Sequence, residues 1–183
     1  MRIPDSNRKK ALIIIDVQPA FINDRNRYIV TNIVKLINNA KYDIYVEAVF
    51  HAEKGSLWDK QQNWTCPKDN GFHTVVELQN KIKDLNFIHV EKEKKSVFKA
   101  DKDLFKLLKE GNIEEIHIVG TETNDCVLAS AYESFDLGFF TYVIEECCQS
   151  GTADEFHKKG LDILRKQCIT NNSCIEKIDF IEI

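Results

Sequence analysis

The sequence predicts an α/β fold, a single domain built on a mainly parallel sheet with helices on both faces. Three observations carry this. Short β-branched and apolar runs alternate with amphipathic helical stripes, the pattern of strand–helix–strand units. Glycines and prolines number only 7 and 3 in 183 residues, so most of the chain can sit in regular elements. No internal repeat, low-complexity tract or Pro/Gly/Ser-rich linker divides it, so one domain over residues 1–183 is expected, long enough to bury its own core.

The elements follow in order. Residues 11–15 are a short continuous apolar run, as a buried central strand requires. Residues 26–39 place Ile29, Val30, Ile33, Val34 and Ile37 on one helical stripe. Residues 43–50 are β-branched and aromatic, a second strand. Residues 51–72 are polar and irregular and hold both tryptophans, which reads as a long loop. A short helix is expected over 74–83 and a third strand over 86–90. A helix over 101–110 carries Leu104, Phe105, Leu107 and Leu108 and stops at Gly111. Residues 115–119 form a fourth strand, and a turn leads from it into a helix over 126–137 that ends at Gly138. A fifth strand over 140–144, a helix over 152–167 and a short sixth strand over 168–170 complete the pattern.

Composition excludes several functions. Lys and Arg total 25 against 29 Asp and Glu, a net charge of −4, which gives no electrostatic reason to bind nucleic acid or an anionic membrane surface. No apolar run approaches the roughly 18–20 residues of a membrane span. The N-terminal stretch is polar and its following apolar run is too short for a signal-peptide core, so a cytoplasmic location is expected. Cysteines at 66, 126, 147, 148, 168 and 174 show no Cys-x-x-Cys spacing, so neither a zinc site nor, in a cytosolic chain, a disulfide framework is expected.

Ligands of such sheets bind beyond the carboxyl ends of the strands, and three residues fall at that edge. Asp16 directly follows the first strand; taken alone, it reads first as a loop aspartate that caps the next segment. Lys92 lies just past the third strand within Glu91–Lys95, which by itself is a solvated charge run in which spacing does not select among Lys92, Lys94 and Lys95. Cys126 opens a helix, where the helix dipole lowers a thiol pKa and backbone N–H groups can hold an oxyanion. A buried helix cysteine is the alternative. Together they compose a mechanism: the carboxylate takes the thiol proton and returns it to a leaving amine, while the ammonium orients the carboxylate and favours the thiolate.

These residues resemble a known family. The segments Leu12-Ile13-Ile14-Ile15-Asp16-Val17-Gln18-Pro19-Ala20-Phe21 and Val119-Gly120-Thr121-Glu122-Thr123-Asn124-Asp125-Cys126-Val127-Leu128-Ala129-Ser130-Ala131 are similar to the two signatures of the isochorismatase-like cysteine hydrolases. Between them, Lys92 lies six residues before Phe98, the spacing of the family's lysine segment, and this selects Lys92 over its neighbours. Residues 138–150 also fit the strand that follows the nucleophile helix. The resemblance spans roughly residues 10–170 with order and spacing preserved.

The resemblance implies a three-layer, doubly wound fold with about six mainly parallel strands. It implies an Asp16–Lys92–Cys126 triad, a thioester intermediate on a small amide-type substrate, and a homo-oligomer. It also implies a cis peptide at Thr121–Glu122, with the N–H groups of Glu122 and Cys126 turned toward an oxyanion hole. Glu122 departs from the small apolar residue common there; its side chain either points away or shapes the pocket. Members that hydrolyse a vinyl ether lack the cysteine present here, so amide-type chemistry is preferred. Classical nicotinamidases carry a metal site after the second strand, an Asp-x-His followed by another His. The matching stretch 48–56 holds only His51, with Glu53 nearby, so no metal and no cofactor are expected, and nicotinamide is disfavoured as substrate. A catalytically idle subunit is the reading from another class; the intact triad argues against it. Gln18, Phe21, Trp58 and Phe98 are candidates to line the pocket, while Trp64 reads rather as an interface residue.

Overall fold

The computed structural model describes residues 1–69, 71–173 and 179–183. Its centre is a five-stranded parallel sheet made of β2 (Lys10–Ile15), β3 (Ile44–Phe50), β4 (Phe87–Lys92), β5 (Glu115–Gly120) and β6 (Phe140–Cys148), in the order β4-β3-β2-β5-β6. A separate antiparallel pair joins β1 (Arg2–Pro4) to β7 (Phe180–Glu182).

Strand β2 explains the layering. Its Ala11, Leu12, Ile13, Ile14 and Ile15 are all fully buried, because both faces of a central parallel strand are covered. Alternate side chains leave on opposite faces. Ala11, Ile13 and Ile15 pack with Leu104 and Leu108 of α4 (Leu104–Glu110), Ala131 of α5 (Leu128–Asp136) and Leu164 of α6 (Asp154–Lys166). Leu12 and Ile14 pack with Ile29, Ile33 and Leu36 of α1 (Tyr28–Asn39) and with Leu78 and Ile82 of α3 (Val76–Ile82). Two core layers around one sheet make the fold doubly wound.

The chain leaves β2 toward β3 on one side and returns through β5 on the other, so the winding reverses between β2 and β5. A crevice at such a reversal, beyond the strand ends, is where ligands bind in these folds. Asp16 follows β2 and Cys126 follows β5, so both stand at its mouth.

The differences from the sequence reading are local. The sixth strand over 168–170 reduces to a single parallel bridge between Thr170 and Val143, so the sheet has five strands. The long loop over 51–72 contains α2 (Leu57–Gln62), capped by Ser56, whose hydroxyl accepts from the Asp59 N–H at 3.3 Å. No residue of α2 is buried, so no apolar stripe marks it. Strand β4 runs on to Lys92, which is therefore its last residue and not a loop residue. Strand β6 extends to Cys148, beyond the apolar run, because a register shift in its pairing with β5 carries Gly120 opposite Cys148. The helix expected from Cys126 begins as a π-type turn over Thr123–Val127 and becomes α-helical only at Leu128. Cys174 lies outside the described residues. No helix among the described residues is long and apolar enough to cross a membrane.

Candidate active site

Local backbone geometry places the first side chain. Asp16 follows β2 with φ of 54°, in the left-handed region, and its N–H donates to the Ala48 carbonyl at 3.0 Å. This turn ends the strand and sets the carboxylate at the sheet's rim. Across the crevice, Gly120 ends β5 at φ of 124°, and a Cβ there would lie 2.1 Å from the Ile15 carbonyl oxygen. Only glycine permits β2 and β5 to meet so closely. The next peptide bond, Thr121–Glu122, is cis. The Glu122 carbonyl then accepts from the N–H groups of Asp125 and Val127 at 3.0 and 3.2 Å, which winds the π-type turn that carries Cys126.

The structure brings Asp16, Lys92 and Cys126 together. The Lys92 ammonium donates to Asp16 Oδ2 at 2.7 Å, to Cys126 Sγ at 3.4 Å and to the Lys94 carbonyl at 3.3 Å. All three side chains are buried, with Asp16, Lys92 and Cys126 exposed by 3%, 1% and 8%. Among the described residues, Asp16 Oδ1 is buried without a hydrogen-bond partner.

Burial controls the charges. It pushes the Asp16 pKa up, and the neighbouring Lys92 only partly offsets this. Burial works against the Lys92 ammonium too, but the charges of Asp16 and Cys126 outweigh it and its pKa is raised. The Cys126 thiol is pushed well above its ordinary range by burial first and by the Asp16 charge second, with Lys92 pulling the other way. The lowered thiol pKa expected from a helix start is therefore not what the surroundings produce. A helix terminus contributes only about 0.3–1 kcal/mol, and removing the thiolate from water costs more. The resting group is a thiol.

A cavity of about 520 Å³ opens beside these groups. Asp16, Cys126, Thr121 and Glu122 line it on one side, and Phe21, Phe50, Trp58 and Trp64 add an aromatic wall. Of the pocket candidates, Phe21 and Trp58 are in the lining. Gln18 is not: it is fully buried, donates to the carbonyls of Phe50 and Phe72 and accepts from the Phe50 N–H, so it fixes the end of β3. Phe98 is not either; it stacks on Phe139, with ring centroids 6.2 Å apart, and packs against the core. Trp64, read from the sequence as an interface residue, lines the cavity and lies 5.7 Å from the Trp58 ring. Phe50 was missed because it reads as an ordinary strand aromatic. Its position at the end of β3, at the same rim as Asp16, was the available signal.

Glu122 does shape the pocket. Its carboxylate accepts from the Gly151 N–H at 2.7 Å and from the hydroxyls of Thr121 and Thr152, each at 3.1 Å. It thereby ties the turn before Cys126 to the loop after β6. The candidate metal position is poor in donors. His51 Nδ1 lies 3.6 Å from Glu93 Oε1, its ring packs on Phe72, and among the described residues no three His, Cys, Asp or Glu side chains are grouped to hold an ion.

Comparison with known proteins agrees with this architecture. A family model described as the isochorismatase domain matches residues 10–173. Among curated proteins none matches the sequence. Solved structures with the same fold include a nicotinamidase from Bacillus subtilis, 25% identical, covering 89% of this chain and 98% of that one with a TM-score of 0.72. An isochorismatase family protein from Desulfovibrio vulgaris is 21% identical, with 90% and 93% of the two chains covered and a TM-score of 0.75. A pyrazinamidase of Pyrococcus horikoshii, solved in complex with zinc, is 20% identical over 88% and 97% of the chains, with a TM-score of 0.73.

Proposed function

The chain belongs to the isochorismatase family of hydrolases, and from that premise we propose that it cleaves an amide-type carbon–nitrogen bond of a small molecule with Cys126 as covalent nucleophile. The observation that carries the reading is the buried contact of Lys92 with both Asp16 and Cys126, two residues that line a ligand-sized cavity. The solved relatives described as nicotinamidases and a pyrazinamidase act on amides, which supports the bond type.

The chemistry follows from the protons. Asp16 Oδ1, free of other partners, accepts the thiol proton as Sγ attacks the substrate carbonyl. Both the resting and the transferred state keep the buried group neutral overall: carboxylate with ammonium and thiol, then carboxylic acid with ammonium and thiolate. Lys92 keeps its proton throughout and holds the carboxylate in place. The N–H groups of Glu122 and Cys126 stabilise the tetrahedral oxyanion. Collapse breaks the carbon–nitrogen bond, the proton on Asp16 leaves with the amine, and a thioester to Cys126 remains. Asp16 then deprotonates a water that attacks the thioester, releasing the carboxylic acid and the thiol.

The zinc of the Pyrococcus relative has no counterpart donor set among the described residues, so no step is routed through a metal and nicotinamide is not favoured as substrate. The test is intact-protein mass spectrometry after brief incubation with a panel of small amides, with Cys126→Ala as control. A mass increase mapping to Cys126, lost in the variant together with ammonia release, is expected. Ordinary turnover by Cys126→Ala would end the covalent reading.

A further inference from the structure

We propose that the cavity selects amides whose far end carries a cation, such as an alkylammonium group, over amides that end in a carboxylate. This rests on the hydrolase reading above and names its substrate class.

The first observation is charge. The lining holds three carboxylates, Asp16, Glu122 and Asp125, and no lysine, arginine or histidine among its described residues. Asp16 is paired with Lys92, and Asp125 with Lys95. Glu122 is different. Its partners are the Gly151 N–H and the hydroxyls of Thr121 and Thr152, which satisfy its oxygens without cancelling its charge. Among the described residues it forms no ion pair. The lining therefore keeps a net negative charge, focused in a concave, partly apolar space. A substrate carboxylate entering it would lose water and gain no counter-ion. A substrate cation would meet one.

The second observation is the wall. Phe50 lies 6.1 Å from Phe21, 5.1 Å from Trp58 and 5.8 Å from Trp64, ring centroid to centroid. Two of these rings already hold ammonium groups of the protein itself: Lys92 Nζ is 4.9 Å from the Phe50 centroid and Lys95 Nζ is 5.0 Å from that of Trp58. Both are cation–π distances. Phe21 and Trp64 line the same cavity and carry no such protein cation among the described residues. Their electron-rich faces and the uncancelled Glu122 charge attract the same kind of ligand.

Three primary amides of nearly equal shape separate charge from size: betaine amide (cationic), 3,3-dimethylbutanamide (neutral) and succinamate (anionic). Their binding to Cys126→Ala is measured by isothermal titration calorimetry, and their ammonia release by the wild-type enzyme. The cation should bind about tenfold tighter than its neutral isostere, and the anion weaker than both. Raising the salt from about 0.05 to about 0.5 M should shrink the preference. Glu122→Gln, made in the Cys126→Ala protein, should bring the cation-to-neutral ratio close to one. Trp64→Leu, at the exposed rim, should lower that ratio several-fold and serves if the Glu122 variant does not fold. Equal binding of cation and neutral isostere, tighter binding of the anion, or no binding of the cation would overturn the inference. The hydrolase reading fails separately: wild type would release no ammonia from any of the three while Cys126→Ala still ranked them by charge.

Discussion

Asp16 has two oxygens in different surroundings, and the proposed chemistry uses the difference. One accepts from Lys92 at 2.7 Å; the other is buried with no hydrogen-bond partner among the described residues. An unpaired buried acceptor is costly, and a thiol proton is what it can accept. Burial raises the Asp16 pKa above its ordinary 3.8, which makes the carboxylate a stronger base than a surface aspartate. Asp16 must be ionised to take the proton, so kcat/KM should fall as pH drops through this raised pKa, and the acid limb of the profile should lie above the ordinary carboxylate range. A limb at or below 3.8 would contradict the role. Asp16→Asn cannot shuttle the proton and should lower kcat by about 10²–10⁴-fold. It also leaves the Lys92 ammonium buried without its counter-charge, a loss of about 3–5 kcal/mol that chemical denaturation would report. The raised Cys126 pKa changes what thiol labelling can say. Iodoacetamide at neutral pH should modify exposed Cys168 faster than buried Cys126, even in an active enzyme. Slow labelling therefore does not mark an idle protein, whereas an acyl adduct on Cys126 marks an active one.

The elements around the turn that carries Cys126 act as a clamp, and most of it was invisible in the sequence. Strand β2 was legible as a short apolar run, and Asp16 directly after it as a charge at the sheet's rim, although the residue alone did not tell a catalytic carboxylate from a capping one. Gly120 lies within the second signature, but the 2.1 Å approach that demands it appears only when β2 and β5 pair. The turn over Thr123–Val127 is held from α6 and the loop before it: Thr123 Oγ1 bonds His157 Nδ1 at 2.9 Å, and Ser150 Oγ donates to Asn124 Oδ1 at 2.7 Å. These partners lie 34 and 26 residues away, beyond the reach of any periodicity. Gly160 shows the same tertiary demand. It sits inside α6, where glycine costs about 0.5–1 kcal/mol relative to alanine. A Cβ there would lie 2.9 Å from Asn124 Cα and 3.0 Å from Asn124 N, so the helix packs directly on the backbone of the turn. Gly160→Ala should therefore destabilise by about 1–3 kcal/mol despite the better helix propensity. By shifting the turn it should also lower kcat more than it raises KM. A variant as stable and active as the wild type would show that α6 does not position the turn.

At the scale of the whole molecule, the sheet also buries polar groups away from Asp16 and Cys126, and they serve stability. Glu115 and His117 on β5 are fully buried. His117 Nε2 lies 2.8 Å from Glu115 Oε1, and its Nδ1 lies 2.9 Å from the Tyr42 hydroxyl. Glu115 Oε2 accepts from Ser6 at 2.7 Å, and Arg8 and Lys10 approach the same carboxylate. The network joins the chain before β2, the start of β3 and the middle of the sheet. The sequence showed only a strand interrupted by a glutamate and a histidine, because each partner comes from a different element. The pairing of β1 with β7 escaped for the same reason, linking residues near the two ends of the chain. A fully bonded buried imidazole sets a pH test. Burial lowers the His117 pKa below its ordinary 6.5, with Glu115 opposing, so the native state holds the ring neutral. Below pH 6.5 the unfolded chain takes up a proton that native His117 refuses. The stability this ring contributes is thus complete above 6.5 and declines as pH falls toward its folded pKa. His89 works in the reverse direction, since hydrogen bonding to Glu47 raises its pKa and its contribution is lost only as pH rises. The clean measurement is therefore a difference, the unfolding free energy of wild type minus that of His117→Gln by urea titration. That difference should be larger at pH 7.5 than at pH 5. A constant difference would mean that His117 titrates alike in both states and that its buried network places no pH dependence on the fold.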